Sequence, residues 1–131
     1  MVALLVLSVG ILGLASLQTA SLRFNTSAYQ RTQATVLASD MADRMRANRQ
    51  AAMNNEYIVA LEDPAPACAP PNPAGTVAQQ DISAWRSAMA CRLPGSTGSV
   101  TRNGNEFTLT VLWDDSQGQE APLQFQFTTA L

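Results

Sequence analysis

The chain has 131 residues, room for one ordinary domain and too few for two. Hydrophobic residues make up 47% and charged residues 14%, against about 25% charged in typical soluble domains, which excludes a disordered polyelectrolyte. The net charge of −2 and a pI near 4.9 argue against a nucleic-acid partner held by phosphate neutralisation.

The first predicted element is the apolar run Met1 to Leu17, MVALLVLSVGILGLASL, which carries no charge. As a helix, these residues rise about 25 Å, slightly less than a hydrocarbon core of about 30 Å. Small residues at Ser8, Gly10, Gly13 and Ser16 permit close helix–helix approach in an apolar medium. Three identities compete for the run. A buried soluble helix is hard to cover in so small a domain. A cleaved secretory signal lacks its basic flank, and Ala15-Ser16-Leu17 is a poor cleavage site. A retained membrane or bundle helix fits best. The nearest flanking charges, Arg23 and Arg31, lie on the C-terminal side, which by the positive-inside rule alone would place that side in the cytoplasm. The cysteines point the other way, and a basic segment upstream of Met1 would reconcile the two.

Residues 18–53 contain no proline and no glycine and are rich in Ala, Gln, Arg, Met and Leu, all good helix formers. Leu37, Met41, Met45 and Ala52 are spaced for one face, with Ala34, Ala38 and Ala42 beside them. Asp40 and Arg44 form an i,i+4 pair off the stripe. A helix running through both segments would be about 75 Å long. A globule of this size does not bury that length, so the N-terminal half is expected to protrude and pack on something else. Asn54-Asn55 is the expected helix end, since Asn tolerates the left-handed conformation. The organisation expected is an apolar helix over 1–17, its continuation over 18–53, and a globular part over 54–131.

Glu62 to Gly75 holds five of the seven prolines and reads as a loop. Asp81 is the expected N-cap of a short helix ending near Arg92, with Ile82, Trp85 and Met89 on its apolar face; Leu93-Pro94-Gly95 stops it. Strand signals follow. Asn103-Gly104 is the expected hairpin turn between Val100–Arg102 and Glu106–Thr108. Phe107, Leu109, Val111 and Trp113 share one face, and after a polar turn so do Leu123, Phe125 and Phe127. These make a three-stranded antiparallel meander with one greasy face, expected to pack on the Leu37/Met41/Met45 stripe.

Cys68 lies in the proline-rich loop and Cys91 ends the short helix. Paired, they would contribute on the order of 3 kcal/mol by loop closure and would imply export; two free thiols in a reducing compartment are the alternative. The chain has no histidine, and all eight basic residues are arginine. That removes Ser-His-Asp and Cys-His catalysis, His-ligated zinc, Schiff-base chemistry and a Walker-type lysine. Asp114, Asp115 and Glu120 do not have the spacing of an EF-hand and read as a solvated turn. No catalytic residue, metal ligand, cofactor or small-molecule substrate is expected.

Several segments taken together carry a resemblance. They are VALLVLSVGILGLASLQ (Val2–Gln18), LASDMADRMRANR (Leu37–Arg49), Cys68, DISAWRSAMACRLPGSTGSV (Asp81–Val100) and FTLTVLWDD (Phe107–Asp115). The chain resembles type IV pilins and is most similar to PilV-type minor pilins. The resemblance implies an α+β, type IV pilin-like fold. In it the hydrophobic half of a long N-terminal helix protrudes, the C-terminal half packs on a small antiparallel sheet, and one short helix completes the fold. It also implies a structural protein that helps prime pilus assembly in the inner membrane, with its C-terminal domain in the periplasm, and then joins the extracellular filament. Other minor pilins and the major pilin are the implied partners. Leu4, Leu5, Leu7, Ile11 and Leu14 are the implied packing residues, and a Cys68–Cys91 disulfide would brace the periplasmic part. Pilins of this kind begin with a basic leader, a Gly-Phe processing site and a nearby glutamate; this sequence starts just beyond them. A type II secretion pseudopilin shares the helix, although the Trp85 to Trp113 pattern favours the pilus side. A membrane-tethered periplasmic binding or adhesion module is the other class.

Overall fold

The computed structural model describes all 131 residues, Met1–Leu131. Three helices precede three strands: α1 (Val2–Ala47), α2 (Arg49–Met53), α3 (Val77–Arg92), β1 (Thr97–Asn103), β2 (Glu106–Trp113) and β3 (Leu123–Ala130). Two compact units make up the chain, Met1–Gln30 and Arg31–Leu131.

Unit 1 is helical from Val2 onward. Its composition explains why: there is no proline, and its leucines, valines and alanines are all compatible with helix. Its hydroxyl groups do not break the helix, because they bond within it. Ser8 Oγ donates to the Leu4 carbonyl at 2.7 Å, Thr19 to Ala15 at 3.1 Å and Thr26 to Leu22 at 2.9 Å.

Unit 2 begins with the last turns of α1, where the expected stripe is the buried one. Ala34, Leu37, Ala38, Met41, Ala42 and Met45 are all core residues. Helix geometry breaks at Asn48 (φ −119°, ψ 53°) and resumes for the five residues of α2. Helical structure then ends at the Asn pair, with Asn55 in the left-handed region at φ 66°. Arg102 of β1 serves this terminus. It donates to the Met53 carbonyl at 2.6 Å and to Asn55 Oδ1 at 2.9 Å, satisfying a carbonyl that the helix end leaves open.

Helix α3 starts a turn earlier than Asp81 would place it. Thr76 is the N-cap: its hydroxyl accepts from the Gln79 amide and the Gln79 side chain accepts from the Thr76 amide, a reciprocal capping box. Asp81 is instead an interior residue of the helix, engaged in tertiary bonds.

The sheet is an antiparallel meander in the order β1-β2-β3. Asn103 pairs with Glu106, so the two-residue turn is Gly104-Asn105, one position beyond the expected Asn103-Gly104. Gly104 lies at φ 62°, in the first central position, where a type II′ turn requires glycine. One face of β2 (Phe107, Leu109, Val111, Trp113) is buried in a single core with Val100, the α1 stripe, and Ile82, Trp85 and Met89 of α3. Phe125 and Phe127 of β3 are only partly buried against it. On the far side of β1, Val59 and Val100 exchange backbone bonds of 3.1 and 2.9 Å.

Candidate functional site

The feature with the strongest chemical demand is the apolar run of unit 1. Leu4, Leu5, Leu7, Ile11 and Leu14 are between 60% and 69% exposed, and none touches the core. Valines 2, 6 and 9 and leucines 12 and 17 are exposed as well, so the run is apolar on every side. It contains a window long and apolar enough to cross a membrane, none of which is buried within the chain. At about 25 cal/mol per Å² of apolar surface, leaving such a segment in water is costly, and a soluble monomer rarely does so.

The geometry fits an apolar solvent. Every backbone N–H and C=O of a helix interior is satisfied internally, and the Ser8 hydroxyl in the middle of the run donates to the Leu4 carbonyl. Ala3, Val6, Leu7, Gly10, Ile11 and Leu14 form a shallow apolar groove along one side. A Cβ added at Gly10 or Gly13 would meet nothing within 4 Å. These positions are open notches where another helix can approach closely.

In unit 2 the conspicuous polar feature is a brace. Arg44 bridges Asp40 and Asp81, at 2.9 Å to each. The Tyr57 hydroxyl donates to the second Asp81 oxygen at 2.6 Å, and Asn48 Nδ2 donates to Tyr57 Oη at 3.3 Å. Burial, then the bond to Asp81, pushes the phenol up to about 12. The brace ties α1 to α3 and to the turn at Tyr57. The Trp85 indole adds a buried bond to the Leu37 carbonyl at 2.9 Å. Sequence reasoning identified the Asp40–Arg44 pair but missed Tyr57 and the second partner, Asp81, because both depend on tertiary approach.

Cys68 and Cys91 form a disulfide. It anchors the proline-rich loop to α3, assisted by Ser83 Oγ accepting from the Asn72 amide and Ser87 Oγ donating to the Ala69 carbonyl. An open cleft of about 780 Å³ lies between this loop and α3. Arg86 on its wall is already engaged, with Glu62 at 3.0 Å and the Ala60 carbonyl at 3.1 Å. The acidic turn after β2 is organised by its own groups. The Asp114 carboxylate accepts from the Ser116 hydroxyl, the Ser116 amide and the Gly118 amide, bonds that hold it below the usual carboxylate range.

Comparison with known proteins agrees with this arrangement. The family described as Tt1218-like, type IV pilin Tt1218, matches residues 16–90, more than half of the chain. That span holds the lower part of α1, the brace, Cys68 and most of α3. No curated protein and no solved structure matches. The long apolar helix, the small antiparallel sheet and the matched family lead to one assignment: the chain belongs to the type IV pilins, a family of structural subunits.

Proposed function

We propose that this pilin is a minor pilin of the PilV type, which promotes assembly of the type IV pilus from a priming or tip complex and thereby supports pilus-dependent motility or adhesion. The observation that carries the proposal is the segment 1–17: apolar on all sides, unburied by its own chain, and notched at Gly10 and Gly13. In the inner membrane the lipid covers it. In a filament, the helices of other minor pilins and of the major pilin take the lipid's place, with Leu4, Leu5, Leu7, Ile11 and Leu14 as the packing residues. Residues 18–53 continue the helix out of the membrane, and 54–131 form the periplasmic part, extracellular once the pilus is extended. The Cys68–Cys91 disulfide supports an oxidising compartment for that part. The segments around Asp40–Asn48, Trp85 and Val111–Asp115 support the PilV type.

Deletion of the gene tests the proposal. Loss of surface pili, restored by the gene in trans, is the expected result. Normal pili with lost enzyme secretion would make the chain a type II secretion pseudopilin. If both are normal, it is a tethered periplasmic module.

A further inference from the structure

The two edges of the sheet are treated differently. The outer edge of β1 is engaged: Val59 bridges Val100, the Glu62 amide donates to Thr97 Oγ1 at 2.8 Å, and the strand carries Arg102. The outer edge of β3 has no strand beside it in this structure. Leu123–Ala130 reads LQFQFTTA, with no charge, no proline and no glycine. Its pairing with β2 is unbroken from Trp113–Leu123 to Glu106–Ala130, so no bulge twists it away. Charges, prolines and bulges are the devices by which proteins keep edges from pairing, and β3 has none of them. The greasy face also runs out to this edge. Leu109 and Val111 are buried, but the residues beside them on β3, Phe127 and Phe125, are half-exposed.

The ends of β3 carry opposite charge. At its C-terminal end, Arg46 donates to Thr129 Oγ1 at 2.7 Å and Arg49 donates to the Leu131 carbonyl at 3.1 Å. Arg46 is paired with Asp43; Arg49 pairs with no Asp or Glu side chain. Just before the N-terminal end stands the exposed carboxylate of Glu120, also without a cation.

We propose that a second copy of this chain docks on β3, antiparallel and centred on Gln126, to form one continuous six-stranded sheet. A twofold axis perpendicular to the sheet keeps the core-side residues on one side. With Gln126 opposite its own copy, Phe125 faces Phe127 of the partner and Gln124 faces Thr128, so each half-exposed phenylalanine gains an aromatic neighbour. Leu131 faces Ala121 of the partner, which sets Arg49 beside Glu120 at both ends. A parallel arrangement would put like charge on like. The contact is isologous and closes at two copies, so it is distinct from the head-to-tail contacts that repeat along a filament.

Cysteine oxidation of the full chain in detergent micelles tests the register, with Cys68–Cys91 left intact. Opposed Cα atoms in an antiparallel ladder are about 4.5 or 5.5 Å apart, within disulfide reach. Gln126→Cys is expected to oxidise to a covalent dimer. Thr128→Cys alone is expected to remain monomeric, because its own copy lies four residues along, about 13 Å away. Thr128→Cys mixed with Gln124→Cys is expected to give the mixed dimer. Arg49→Glu should lower the Gln126→Cys yield, and adding Glu120→Arg should restore it. Absence of dimer from Gln126→Cys, or equal dimer from Thr128→Cys alone, overturns the proposal and leaves the pilin assignment untouched.

Discussion

Single residues in this protein act by position more than by type. Gly98 on β1 is the clearest case. A Cβ placed there would lie 2.5 Å from Trp85 Cη2 and 2.7 Å from Met89 Cε, so it is the missing side chain that lets α3 settle on the sheet. Gly98→Ala is expected to destabilise unit 2 by about 1–3 kcal/mol, the usual cost of overpacking, read as a lower urea midpoint by tryptophan fluorescence. An unchanged midpoint would mean that the indole moves aside freely. Tyr57 has a pH signature. Its phenol is raised to about 12 in the folded chain from about 10 when unfolded, so the folded state holds the proton more tightly. The stability this provides is complete below about pH 10 and is lost as pH rises towards about 12. Tyr57→Phe should flatten that alkaline decline, and an equally steep decline in the variant would assign it to another group. Neither residue announces itself in the sequence. A glycine in a strand and a tyrosine after a helix are both ordinary until the chain brings Trp85 and Asp81 to them.

Elements were more legible, because periodicity is a property of many residues at once. The Leu37–Met41–Met45 stripe and the alternation of Phe107, Leu109, Val111 and Trp113 each specify a buried face, and the structure buries both. Starts and turns were less secure. Asp81 is a good capping residue, but Thr76 with Gln79 satisfies two amides reciprocally where Asp81 would satisfy one. The hairpin lies one residue beyond the expected Asn103-Gly104, and because both registers keep Phe107, Leu109 and Val111 on the face of Val100, the turn chemistry distinguishes them: Gly104 takes the first central position at φ 62°. The proline-rich loop has no regular structure and is held by its attachment to α3. Reduction of Cys68–Cys91 is therefore expected to cost on the order of 3 kcal/mol, seen as a lower thermal midpoint with dithiothreitol and as early protease cleavage within Glu62–Gly75. An unchanged midpoint would show that the hydrogen bonds from Ser83 and Ser87 hold the loop unaided.

At the scale of the whole molecule, the two units have opposite relations to solvent. Unit 2 buries its apolar stripe, its sheet face and both tryptophans, and holds them with a disulfide and the Arg44–Asp81–Tyr57 brace. Unit 1 exposes an apolar surface on every side. That contrast was readable in the sequence, since no polar residue interrupts Val2–Val6 or Val9–Ala15. The family match then supplies what neither composition nor geometry contains, the kind of assembly such a subunit enters. A packing role for the exposed helix is the centre of the account, and Leu7 is its most direct probe. Arginine at bilayer depth costs about 3 kcal/mol or more and leaves unit 2 unaltered. The decisive measurement compares native chain, Leu7→Arg and the exposed-site control Gln80→Arg, each quantified by mass spectrometry in the membrane fraction and in sheared filaments. The account predicts that the control enters both like the native chain, while Leu7→Arg is depleted from both with its disulfide still formed. Normal recovery of Leu7→Arg in filaments would contradict it.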